Sequence, residues 1–256
     1  MKTAMEMLYG GFANLMSRVK DIRLKVIPSR VANDFIRNHH YSGKVVPNSK
    51  LHFGAFLDGV LHGVMSFGSS INKKCTRNLV KRTGWNEIIE LNRMAFDSIL
   101  PKYSESRCIS IAMRLLKKQA PHLKWVVSFA DGTQCGDGTI YRASGFNLVG
   151  IKKNTSLWQK NGMQMQDMQL YHKMINPRKE GWKKLKGFQF RYIYFLHPKE
   201  QKNLTVPEIP FSKIKEMGAS MYLGKKLCDA GVISSIPSVQ GGGGGAEPTA
   251  SLNNYA

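Results

Sequence analysis

Two short segments of this 256-residue chain hold side chains that could move a proton. HHYSG, residues 39–43, contains His40 and Tyr41, and SFADG, residues 128–132, contains Asp131 directly after an apolar run. An imidazole titrates near neutral pH and can take a proton from an attacking group. A carboxylate just past the C-terminal end of a buried strand lies where open sheets form their functional crevice. There it can orient the imidazole or hold the amino group of an acceptor. Each segment also has a purely structural reading: His39 and His40 as a helix end favoured by the helix dipole, Asp131-Gly132 as a turn. No H-x-x-x-H pair is present, so spacing alone assigns no metal site.

The charge names a class of partner for that chemistry. The chain carries 38 Lys and Arg against 17 Asp and Glu, a net charge of +21, and its isoelectric point is near 9.9. An excess of this size points to a polyanion. One concentration is the acid-free stretch 72–84, with Lys73, Lys74, Arg77, Lys81 and Arg82; a second follows Pro177, with Lys183, Lys184 and Lys186 against Glu180 alone. Both are candidate phosphate contacts. Phe188, Phe190, Tyr192 and Tyr194 alternate in the second stretch, which reads more simply as one face of a strand than as a base-stacking row. Cys75, Cys108, Cys135 and Cys228 are far apart, as in reduced thiols of a cytosolic protein. No run approaches the roughly 20 apolar residues of a membrane span, so a soluble cytoplasmic protein is expected.

These residues need a scaffold, and the hydrophobic pattern supplies one. A strand at 24–27 is followed by a helix opened by Ser29 as N-cap. LHFGAFLDGVLHGVMSF, residues 51–67, flanks Asp58-Gly59, the dipeptide of a two-residue hairpin. EIIELNRMAF (87–96) reads as a strand, and Ile109, Ala112, Leu115 and Leu116 take helical spacing. WVVSFA (125–130) is a short apolar run and hence a buried strand. A short helix around Tyr141 closes at Gly145 before the strand FNLVGI, and SLWQK with MQLYHKMI forms a last hairpin about Asn161-Gly162. The order implies a mixed α/β domain. The expected organisation is a weakly ordered leader (1–22), a catalytic domain (23–176), a basic aromatic extension packed on it (177–223) and a disordered Gly/Ser/Pro-rich tail (224–256). The Met-rich stretch 159–169 is a candidate dimer edge or a set of gap-filling core residues.

Two further patterns gain meaning from a fold family. RCISIA (107–112) resembles the R/Q-x-x-G-x-G/A segment with which GNAT acyltransferases cradle a pyrophosphate on helix amides. Arg107 and Ala112 fit, and Ser110 stands where glycine is expected. YRASGF (141–146) resembles the later GNAT helix whose tyrosine serves as general acid at the leaving group, which points to Tyr141. Taken together, HHYSG, IIELNRMAF, RCISIAMRLL, WVVSFADG, GTIYRASGFNLVG and PFSKIKEMGASMYLGK resemble the Mom family of DNA-modification proteins of phages and prophages, from about residue 23 to about residue 226.

The resemblance implies a GNAT-like fold, largely antiparallel with flanking helices, that converts adenine in double-stranded DNA to a carbamoylmethyl derivative and shields phage DNA from restriction in the bacterial cytoplasm. It places His40, Tyr41, Asp131 and Tyr141 at functional positions. The chemistry needs an activated donor, acyl-CoA or another acyl or aminoacyl compound; a further candidate is a donor carried on a charged tRNA, which the basic surface would suit equally well. The resemblance also raises iron as a candidate, with His40 and Asp131 as candidate ligands. Because a duplex buries its adenines, base flipping is expected. Two rivals stand beside this reading. One is a catalytically inactive DNA-binding accessory protein, which Ser110 favours. The other is an ordinary N-acetyltransferase, which the charge disfavours.

Overall fold

The computed structural model describes residues 18–70, 76, 78–133 and 136–219, and the backbone of 221–222 and 225–226. Lys73, Lys74, Arg77 and most of the expected leader and tail lie outside the described residues.

The core is a seven-stranded sheet in the order β1-β2-β3-β4-β5-β10-β6. Its strands are β1 (Arg23–Val26), β2 (Ser49–Leu57), β3 (Val60–Gly68), β4 (Ile88–Phe96), β5 (Trp125–Asp131), β6 (Asn147–Asn154) and β10 (Gly187–Phe195). Every neighbouring pair is antiparallel except β4 with β5. The mixed, largely antiparallel α/β class expected from the sequence is the one observed. Asp58 and Gly59 turn β2 into β3 with φ of 52° and 81°, and Asn161 and Gly162 do the same between β7 (Leu157–Lys160) and β8 (Met163–Gln166) with 50° and 78°. Both are two-residue turns whose left-handed backbone matches the strand twist.

Helices cover the two faces unequally. Against one face pack α2 (Ser104–Gln119), through Ile109, Ala112, Met113 and Leu116, and α3 (Thr139–Ala143), through Tyr141. The other face is covered at one side by α1 (Ser29–His39), whose Ala32 and Ile36 meet Val64 and Ala95. At the other side Leu79, Val80 and Leu204 cover Trp125, Val127 and Ile193. Among the described residues none covers the middle of this second face. A small sheet, β8-β7-β9 with β9 (Lys183–Lys184), walls it and carries its own core of Trp158, Leu170 and Trp182.

The structure differs from the sequence-based expectations at five places. Val19 and Ile22, at the end of the expected leader, are buried in the main core. Ser29 is the first helical residue, and Pro28 takes the N-cap position. MQLYHKMI is not a strand: β8 ends at Gln166 and α4 (Asp167–His172) follows, its start fixed by Gln169, whose side chain accepts the Gln166 amide. The described part of the basic loop is pinned, with the Lys81 amide on the Asn203 carbonyl at 2.8 Å and Thr205 on Leu79 at 2.9 Å. Finally, the aromatic strand assigned to an extension is the sheet's penultimate strand. β10 runs antiparallel to β5 and to β6 at once, because both its faces are apolar: Phe190 and Tyr192 enter one core, Ile193 the other.

Phe190 is fully buried, so Phe190→Ala should cost about 3–5 kcal/mol in chemical denaturation. A loss under about 1 kcal/mol, as for surface positions, would place the strand outside the core.

Candidate active site

The parallel pairing of β4 and β5 runs only from Ile88↔Trp125 to Leu91↔Ser128. At the same level β4 bulges: Phe67 pairs with Leu91 and Ser66 with Arg93, leaving Asn92 extra. A bulge bends its strand and re-aims side chains, and beyond this point the two strands part. A cleft of about 950 Å³ opens over the parting, on the sheet face that α1 leaves free.

Strand register decides what lines its floor. Asp131 pairs with Gln189 and Gln189 with Lys152; Phe129 pairs with Arg191 and Arg191 with Gly150. Two rows of side chains therefore cross β5, β10 and β6 side by side and face the cleft. From β4 come Glu90 and Arg93, and from the loop after α1 come Tyr41, Ser42 and Lys44. Arg93 donates through Nε to the Lys44 carbonyl at 3.0 Å, tying that loop to the sheet. The cleft thus holds four cations, Lys44, Arg93, Lys152 and Arg191, against Glu90 and Asp131.

Asp131 accepts the Thr133 amide at Oδ1, 3.0 Å, and Asn154 donates to the Thr133 hydroxyl at 3.2 Å. Burial raises its carboxyl above the usual carboxylate range, although the hydrogen bonds from Thr133 and Asn154 oppose the shift. A carboxylate raised in this way binds a proton more readily than one in water. His40 ends α1, and its Nδ1 accepts both the Ser42 amide at 3.1 Å and the Ser42 hydroxyl at 2.8 Å. The ring proton is thereby placed on Nε2. Burial, and secondly the nearby Arg93 guanidinium, lower its pKa from 6.5 to about 4. His40 is a neutral donor at pH 7, not a cation. Tyr41, half exposed at the cleft mouth, lies against it with ring centroids 4.2 Å apart.

The expected site residues divide between the two sheet faces. Tyr41 and Asp131 line the cleft on the open face, whereas His40 does not line it and sits behind Tyr41 and Ser42. Tyr141 is only 7% exposed and packs among Phe146 and Tyr192, 5.4 and 5.2 Å away, on the α2 face. The segment 107–112 is not a helix start: α2 begins at Ser104, and the Arg107 amide already donates to the Tyr103 carbonyl at 3.1 Å. Ser110 Oγ donates to the Ser106 carbonyl at 2.9 Å and Ala112 is fully buried. These amides lie inside the helix and do not form a phosphate cradle; Tyr103, in the left-handed region, starts the helix one turn early. Among the described residues no three His, Cys, Asp or Glu side chains converge on one point. His40 and Asp131 each bond their own loop, so this donor set does not fit an iron ion. Lys183, Lys184 and Lys186 are exposed on or beside the small sheet that walls the cleft. Lys81 and Arg82 are exposed beside the Trp125 end of β5, a strand length of about 20 Å from Asp131. Glu90, Arg93, Gln189 and Arg191 were missed by sequence reasoning; the signal was polar residues interrupting otherwise apolar strands.

Comparison with known proteins fixes the family. The family model described as "Mom protein family" matches residues 21–213. The chain belongs to that family. A curated relative named methylcarbamoylase mom, from Escherichia phage Mu, is 34% identical over 201 residues, covering 73% of this chain and 80% of that protein. Solved structures are more distant. A Bacillus subtilis acetyltransferase in complex with CoA has 12% identity and a TM-score of 0.42, covering 68% of this Mom-family chain and 98% of its own. A spermidine/spermine N-acetyltransferase from Vibrio cholerae in complex with manganese ions has 12% identity and a TM-score of 0.42, covering 72% and 98%. Likeness at that level says nothing about ligand or chemistry.

His40 also makes acid stability diagnostic. The unfolded ring takes its proton near pH 6.5, the folded ring only near 4, so stability present above 6.5 is lost as pH falls through that window. His40→Gln should flatten the fall in melting temperature between pH 6.5 and 4. Parallel curves for the two proteins would contradict the buried, neutral imidazole.

Proposed function

We propose that this Mom-family chain is a DNA-modifying transferase that converts adenine in double-stranded DNA to an N6-carbamoylmethyl derivative and so protects phage DNA from restriction. The observation that carries the proposal is the cleft: a raised carboxyl, Asp131, among four cations on the sheet face that the described residues leave open. The name of the phage Mu relative supports the same chemistry.

The exocyclic amine of adenine is a poor nucleophile because its lone pair is delocalised into the ring. Forming a bond from N6 to a donor carbon needs a base for the departing amine proton and a group that stabilises the leaving group. Asp131 is the base in this proposal. His40 differs from the expectation that it shares this role: with Nδ1 occupied by Ser42 and its ring outside the cleft lining, it positions the loop that carries Tyr41 and Ser42. Tyr41 stacks on the flipped adenine, while Lys44, Arg93, Lys152 and Arg191 meet phosphates. The product joins N6 to a methylene, so the donor presents an activated carbamoylmethyl carbon. The N6–CH2 bond forms as the bond from that methylene to its leaving group breaks, with acyl-CoA and charged tRNA as candidate carriers of the two-carbon unit. Direct acyl transfer, which would join N6 to a carbonyl, does not give this product, and Tyr141 lies on the opposite face.

The internal position of residues 107–112 favours one rival, a DNA-binding protein without transfer activity. Nucleoside mass spectrometry on DNA from cells expressing the chain separates the two. The wild type should yield a carbamoylmethylated adenosine. Asp131→Asn should lower the yield at least about 100-fold with DNA affinity held within about twofold. Unmodified DNA bound tightly by the wild type would establish the rival.

A further inference from the structure

The wall of the cleft carries a second surface on its outer side. Gln169 of α4 lines the cleft. Two residues on, about 3 Å of helix rise, Tyr171 is 76% exposed, and Met174 beyond the helix is 94% exposed, more than any other large apolar side chain among the described residues. A groove of about 680 Å³ lies between them and the turn to Arg178.

Met174 is costly in two independent ways. The helix ends with the Ile175 amide on the Leu170 carbonyl and the Met174 amide on the Tyr171 carbonyl, both 2.9 Å. That pair of bonds is the Schellman ending, whose left-handed residue is ordinarily glycine. Here it is Met174, with φ of +55°. A side chain that strains its backbone and buries nothing is not there for the fold. The support beneath it is firm: Leu170 and Ile175 pack with Trp158 and Trp182, and the Trp158 indole donates to Asp167.

The surroundings choose the occupant. Lys173, Arg178 and Lys179 are exposed beside the two apolar tips, with Glu180 the one acid of 168–186. A like-charged second copy of a +21 chain is repelled from such a patch, whereas a polyanion with apolar interior surfaces satisfies both features. Resting on the function proposed above, we infer that Met174 and Tyr171 form a wedge that enters the duplex beside the target adenine. They press against the base step from which it is flipped, while Lys173, Arg178 and Lys179 take the flanking phosphates. The wedge acts on the duplex, and the cleft acts on the base.

The test uses the full chain and a duplex that the wild type modifies, carrying 2-aminopurine next to the target adenine, together with the matching single strand. Met174→Gly removes the strain, so its melting temperature should be equal to or above the wild type's, a direction a structural role would not produce. Its modification of the duplex should fall about tenfold and the 2-aminopurine signal of unstacking should drop with it. Modification of the single strand, which needs no flipping, should stay within about twofold. Tyr171→Ala should do the same, losing activity on the duplex and keeping it on the single strand, and Val60→Ala, at the exposed start of β3, should match the wild type throughout. Equal activity of Met174→Gly and wild type on the duplex would overturn the wedge, as would an equal loss on both substrates or a loss accompanied by dissociation of a dimer. Failure of the wild type to modify either substrate would instead overturn the function on which the wedge rests.

Discussion

The site depends on a short length of parallel pairing. β4 and β5 hold one another over four residue pairs, Ile88 to Leu91 against Trp125 to Ser128, and then separate where Asn92 bulges from the ladder. Were the pairing to continue, the two backbones would stay one ladder spacing apart and the opening between them would not exist. On the far side of β5, β10 keeps a full seven-pair antiparallel ladder. The sheet therefore yields at one seam only, and the position of that seam decides which side chains meet water.

The parting also divides labour between the faces. Register carries Asp131, Gln189 and Lys152 onto the open face in one row, while Phe190 and Tyr192, one residue away in each case, enter the core beneath α2. A one-residue slip of β10 would exchange these sets and destroy both core and site. Gly187 shows how closely that register is held: a Cβ there would lie 2.0 Å from the Thr133 hydroxyl, which stands beside the Asp131 carboxyl. The same packing that desolvates Asp131 and raises its proton affinity thus fixes its neighbour in the sheet.

Local features of this architecture were readable from residue types. Asp58-Gly59 and Asn161-Gly162 specify their turns because only short polar residues and glycine accept the left-handed backbone. Trp125 to Ala130 is apolar at nearly every position because it is buried on both faces. Long-range placement was not readable. Nothing near Phe188 to Tyr194 states that the segment returns between two strands whose partner residues lie 35 to 68 positions earlier, and its basic flank, needed on the small sheet, mimics an appended arm. The site divided likewise. Asp131 follows from its strand end, whereas Arg93, Arg191 and Glu90 become visible only when a bulge and a register bring them to one opening. The neutral state of His40 comes from its burial and from the Arg93 guanidinium, which no spacing rule contains.

The central claim is that adenine is handled on the open face above the parting of β4 and β5. Photocrosslinking places it directly, with a duplex carrying a photoreactive adenine at the modified position and peptide mass spectrometry of the adducts. The account predicts adducts on 41–44, 90–93, 129–131 and 189–191. Adducts confined to α2 and α3, on the opposite face, would contradict it.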